Sequence, residues 1–122
     1  MVESIIILSD RSPVGSNSAV EAIRMGAGLT ALGDTIPTKV VLSGDAVLLM
    51  AKDADPTAVK QDTINSVMEM ADLSDLEIYV VKEALGDAGL QQDDLRSYAK
   101  LKIVSQAELS SMVAGAATTF RL

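Results

Sequence analysis

The run Ile5-Ile6-Ile7-Leu8 restricts the possible folds of this chain more than any other feature. Four successive aliphatic residues leave no polar face, so a strand made from them must be covered on both sides, as in a parallel sheet with helices above and below. The pattern predicts this strand over Glu3–Ser9 and suggests it as the central strand of its sheet. Further strands are expected at Thr38–Leu42, Leu76–Val81, Lys102–Val104 and Thr118–Arg121. Helical segments are expected at Ser18–Leu32, Ala46–Met50, Asp55–Asp72, Lys82–Ala88, Gln91–Tyr98 and Ser105–Gly115. Strands alternate with helices and no hairpin signal joins neighbouring strands. The fold class is therefore α/β, a three-layer α/β/α arrangement with a mainly parallel sheet of about five strands. At 122 residues the chain is sized for one such domain over 1–122.

Local signals mark the helix ends. Ser18 with Glu21, and Ser105 with Glu108, stand at the spacing of a capping box, in which a hydroxyl and a carboxylate satisfy orphan N–H groups of the first turn. Asp55 before Pro56 is a helix start, and Gly33 a helix stop. Ala22, Met25, Leu29 and Leu32 line one face of the first long helix; Val59, Thr63, Ile64, Val67, Met68 and Ala71 line the next; Met112, Val113 and Ala116 point inward near the end. Gly26 and Gly28 sit inside the first long helix, where each is about 1 kcal/mol less favourable than alanine, so close packing is expected at both. Aromatic residues make up only 2%, which makes the core aliphatic, with the six methionines as gap-fillers.

The residue inventory removes whole classes of chemistry. With no Cys and no His there is no disulfide scaffold, no thiolate or imidazole metal site, no cysteine nucleophile and no Ser-His-Asp triad. A net charge of −7 without any Lys/Arg cluster argues against nucleic acid and against an acidic membrane surface. No apolar run approaches the roughly 20 residues of a membrane span, and no signal peptide is recognisable, so a cytoplasmic location is expected. No metal, cofactor or catalytic residue is expected.

In open parallel sheets, ligands and partners meet the loops beyond the carboxyl ends of the strands. Those loops are Ser9–Asn17, Ser43–Asp45 and Val81–Glu83. The first is rich in hydroxyls, contains Pro13, Gly15 and Ser16, and precedes a helix whose N-terminus favours an anion. It lacks both the P-loop and the dinucleotide glycine patterns, so it reads either as a simple connection with a cap or as a phosphate cradle. Glu21 reads as a cap before a binding carboxylate, and Asp45 after Gly44 as a helix N-cap before a Mg²⁺ or ribose ligand. Asp10 and Asp45 do not make a phospho-acceptor site, because the adjacent acids such a site needs are missing. Lys82 stands at a strand end, where burial would activate it and neighbouring acids keep it charged.

At Ser9, Pro13, Gly15, Ser16 and Glu21 the chain resembles the sulfur-relay family named after DsrE, DsrF and DsrH, especially its DsrF/TusC branch. The resemblance continues through Ser43-Gly44-Asp45-Ala46-Val47, Asp55-Pro56, Tyr79-Val80-Val81, Ala84-Leu85 and Gly89-Leu90. It implies a three-layer α/β/α domain that works as a homo-trimer or hexamer, or as a hetero-oligomer with DsrE/DsrH-like subunits, passing persulfide sulfur between proteins. In the DsrE/TusD branch the sulfur carrier is a cysteine after the third strand. Counting back from Gly89 places that position at or beside Val81, which cannot form a thiolate. The resemblance thus implies a non-catalytic DsrF/TusC-like subunit acting through oligomer assembly, with Ser9, Pro13, Gly15, Ser16, Glu21, Gly44, Asp45, Val81 and Lys82 as ligand or partner residues. The alternative from another class is a flavin-, nucleotide- or anion-binding domain that uses the Ser9–Ser18 loop.

Overall fold

The computed structural model describes residues 4–11, 18–31, 37–51 and 61–122. Within them the chain runs β1 (Ser4–Ser9), α1 (Ser18–Ala31), β2 (Thr38–Leu42), a 3-10 helix (Gly44–Met50), α2 (Gln61–Leu73), β3 (Glu77–Val81), α3 (Lys82–Asp87), a 3-10 turn (Gln92–Asp94), β4 (Leu101–Val104), α4 (Gln106–Ala114) and β5 (Ala116–Arg121). The five strands form one wholly parallel sheet in the order β4-β3-β2-β1-β5, with helices on its two faces. The α/β expectation therefore holds. The middle strand is β2 and not β1, because β5 returns across the sheet to pair outside β1. An apolar run reports that both faces are covered and says nothing of which strands flank it.

The core is aliphatic. Ile6, Ile7, Val40, Val41, Leu42, Ile78 and Val80 are fully buried in the strands, with Ile23, Leu76 and Met50 packed around them. Helix α1 meets the sheet through its smallest residues, Ala19, Ala22, Gly26 and Ala27, with Ile23 among them. A Cβ on Gly26 would lie 2.7 Å from Val40 Cγ2 and 3.2 Å from both Leu76 δ-carbons. The expected close approach is thus real at Gly26. It is absent at Gly28, where a Cβ would meet nothing within 4 Å. Met25 and Leu29 flank this contact and are partly buried, whereas Leu32, Gly33, Asp55 and Pro56 lie outside the described residues.

Helix α2 presents Val67 and Ala71 to the core, with Met68 beside them. Helix α4 begins with the expected capping box: Glu108 N donates to Ser105 Oγ at 3.1 Å and Ser105 N donates to Glu108 Oε1 at 3.2 Å. Only Leu109 of this helix is buried, with Met112 one turn on partly covered. Val113 was expected inward but is 38% exposed, because the sheet-facing line runs through Leu109 and Met112; Ala116 already belongs to β5.

The expected helix over Gln91–Tyr98 shrinks to the single turn Gln92–Asp94, since no repeated apolar face continues beyond it. Leu95 then bridges antiparallel to Ala51, and the Tyr98 hydroxyl donates to Leu76 O at 2.6 Å. Burial, followed by the nearby carboxylates of Asp72 and Asp75, pushes the Tyr98 phenol up to about 12. The folded chain holds this proton more tightly than the unfolded chain, so the stability it contributes is complete below the ordinary phenol value of 10.0 and is lost as pH rises through about 12. Urea unfolding followed between those limits should show stability falling with pH, and Tyr98→Phe should flatten that slope; an unchanged slope would place Tyr98 in water.

Candidate functional site

The carboxyl ends of β1, β2 and β3 lie side by side. Ser9 pairs in register with Leu42 and Leu42 with Val80, so Ser9, Ser43 and Val81 follow one another along a single rim of the sheet. Ser43 N donates to Ser9 O at 2.9 Å, which carries the β1–β2 ladder one residue beyond β2. Gly44 follows with φ of +50°, and a Cβ there would sit 3.1 Å from Asp10 O. Both the left-handed backbone and the close approach require glycine at this position.

The structure brings Ser9, Gly44, Asp45, Val81 and Lys82 to this rim and gives them unequal characters. Ser9 is fully buried and its Oγ has no hydrogen-bond partner among the described residues. Asp45 is exposed in the first turn of the 3-10 helix, so it is not the expected N-cap; that position belongs to Ser43, whose hydroxyl makes no cap bond. Val81 is the last residue of β3, 1% exposed, and Lys82 opens α3 as an exposed side chain. Glu21 is exposed on α1, where it pairs with Arg24. Pro13, Gly15 and Ser16, with most of the loop read as a phosphate cradle, lie outside the described residues.

Two rim contacts escaped sequence reasoning. Arg121, at the end of β5, donates to the carboxylate of Asp10 and so joins the edge of the sheet to the end of β1. Glu83 accepts the Gln106 N–H at 3.1 Å, tying the start of α4 to α3. Neither partner is close in sequence, and the only hint was an isolated charge at the edge of an apolar segment. No group of three or more potential metal ligands occurs among the described residues.

A second polar cluster occupies the sheet surface across β2, β3 and β4. Lys102 Nζ donates to Glu77 Oε1 at 2.9 Å and the Tyr79 hydroxyl donates to the same oxygen at 3.2 Å. The ammoniums of Lys39 and Lys102 stand 5.8 and 5.7 Å from the centroid of the Tyr79 ring. The Lys102 hydrogen bond holds the Glu77 carboxyl below the usual range, and burial pushes the Tyr79 phenol up. These charges satisfy one another, which makes the cluster a brace between strands.

Comparison with known proteins agrees with this architecture. The model of the DsrE/DsrF-like family matches residues 3–120. Among solved structures, the YchN protein of E. coli superposes with a TM-score of 0.79 at 18% identity, over 99% of this chain and 100% of that one. MTH1491 of Methanobacterium thermoautotrophicum, a protein of unknown function, superposes with a TM-score of 0.63 at 15% identity, over the whole of both chains. At these identities the structural likeness carries the fold alone. Comparison with curated protein sequences finds no match. No helix among the described residues is long and apolar enough to cross a membrane. With the family model covering nearly its whole length and the five-stranded parallel sheet in place, the chain belongs to the DsrE/DsrF-like family.

Proposed function

We propose that this protein is a non-catalytic, DsrF/TusC-like subunit of a persulfide relay, acting through assembly with copies of itself or with DsrE/DsrH-like subunits. The observation that carries this reading is Val81. It ends β3, where the resemblance puts the sulfur-carrying cysteine of the DsrE/TusD branch, and it is a buried aliphatic side chain in a chain without cysteine. Sulfane sulfur needs a thiolate to hold it, and no residue here supplies one. The work left to such a subunit is to shape and orient. The weakly covered α4 and the neighbouring β5, with Val113 38% and Phe120 41% exposed, favour contact with another chain.

Light scattering across a concentration series, paired with mass spectrometry after incubation with a persulfide-loaded carrier protein, tests both halves of the proposal. The expected result is a trimer or larger assembly and no mass increase of one sulfur atom on this chain. A monomer at all concentrations, or a covalent sulfur adduct on the isolated polypeptide, would overturn it.

A further inference from the structure

The segment from Leu95 to Lys100 leads into β4, and its later residues reach the amino end of β3. Tyr98 is fastened to Leu76 O, and Ile78 N donates to Lys100 O at 3.1 Å. Arg96 sits within this segment, its backbone N–H donating to Met50 O at 2.7 Å. Among the described residues its guanidinium reaches only Ala51 O, through Nη2 at 3.5 Å, while Nε is buried and finds no hydrogen-bond partner there. The ion pairs among the described residues join Arg24 to Glu21, Lys102 to Glu77 and Arg121 to Asp10, and none involves Arg96. In a chain of net charge −7, this half-buried cation stands without a counter-ion among the described residues.

Two hollows meet at Arg96. One, of about 460 Å³, lies against α2 and is lined by Glu69 and Asp72, whose carboxylates repel an anion. The other, of about 550 Å³, is lined by Gln92, Leu95, Ser97, Tyr98, Leu101 and Ile103 besides Arg96, and among the described residues it contains no carboxylate. Its size suits a small ligand. Leu101 and Ile103 project from the same face of the sheet, paired in register with Ile78 and Val80, and give a hollow whose walls are mostly polar a small apolar floor beside its one positive charge among the described residues. Burial lowers the Arg96 guanidinium from its ordinary value, yet an arginine remains charged and keeps its planar fork of donors.

We infer that this second hollow binds a small organic monocarboxylate, whose oxygens pair with the guanidinium of Arg96 while its apolar body rests on Leu95, Leu101 and Ile103. A planar carboxylate matches the guanidinium fork. A phosphate dianion fits less well, because it would face a single cation on an acidic protein and would leave the apolar floor unused. This site is independent of the relay reading, since its lining includes neither Ser9 nor Val81 and it needs no sulfur chemistry.

The probes are hexanoate, acetate and inorganic phosphate, added to the whole chain at matched ionic strength while backbone amide shifts are followed by NMR. Hexanoate should shift the amides of residues 92–103 saturably, acetate should bind about tenfold more weakly or worse for want of the apolar body, and phosphate should leave these amides unmoved. Arg96→Gln should weaken hexanoate by roughly tenfold or more, and Arg96→Lys should recover part of the loss. The wild-type titration stands on its own if a variant fails to fold. Absence of saturable hexanoate shifts at 92–103, phosphate binding as tight as hexanoate, or undiminished hexanoate binding by a folded Arg96→Gln protein would each overturn the proposal.

Discussion

Replacing Gly26 by valine should destabilise the protein by about 3 kcal/mol, the upper part of the range for overpacked interiors. The first added carbon already falls 2.7 Å from Val40 Cγ2, closer than such atoms approach, and 3.2 Å from the Leu76 δ-carbons. Val40 cannot yield easily, because it is fully buried and its branched Cβ restricts χ1. Relief therefore requires α1 to lift from β2. Gly26→Ala meets the same clash with fewer atoms and recovers about 1 kcal/mol of helix propensity, so its net loss should be smaller. Gly28→Ala, placed in open space two residues away, should instead gain up to about 1 kcal/mol. Urea midpoints at constant m-value measure all three. Adding Val40→Ala to Gly26→Ala should cost less than the two single losses combined, since it removes the clashing methyl. If Gly26→Ala and Gly28→Ala both stabilise, α1 does not lie this close to the sheet.

Leu76→Ala should cost about 3 kcal/mol, within the range for truncating a large aliphatic residue in a close-packed interior. The side chain is fully buried, beneath α1 at Gly26, and the cavity left there cannot collapse without moving the helix. The bond from Tyr98 goes to the Leu76 main-chain oxygen, so it survives the substitution and the measured loss reports packing. Leu73 is the internal control. It lies three residues earlier, 87% exposed, and Leu73→Ala should change stability by no more than about 0.5 kcal/mol. Equal losses at the two leucines would show that Leu73 is covered in the assembled protein, which makes the end of α2 part of an interface. Against a typical total stability of roughly 5–15 kcal/mol, the loss expected at Leu76 is large.

Most of the fold was legible because it follows from local patterns. β2 lies over Thr38–Leu42 as expected, bounded by Pro37 on one side and Ser43-Gly44 on the other, and the Ser105–Glu108 box was visible as two residues at fixed spacing. What could not be read was long-range. Nothing in Ile5–Leu8 indicates that β5 lies beside it, because the same aliphatic run suits any covered strand. Asp10 and Arg121 are 111 residues apart, and the Tyr98 hydroxyl finds a main-chain oxygen that has no sequence signature. Gly28 misled for a different reason: a helix glycine marks either close contact or nothing, and only geometry separates the two. At the rim, backbone requirements were easier to read than roles. Gly44 carries the left-handed turn that its type suits, whereas the N-cap position expected at Asp45 falls at Ser43, two residues earlier.

The position of β5 also affects how the chain reaches this structure. During synthesis β1 and β2 emerge early, yet one side of β1 keeps its N–H and C=O groups unpaired until residues 116–121 arrive to close it. A nascent or proteolysed chain that lacks those residues offers a bare strand edge beside Ile6 and Ile7, a template on which a second unfinished molecule can add. Loss of a few residues from the end of this stretch is therefore expected to appear first as aggregation in the cell, before any measurable defect in the remaining fold.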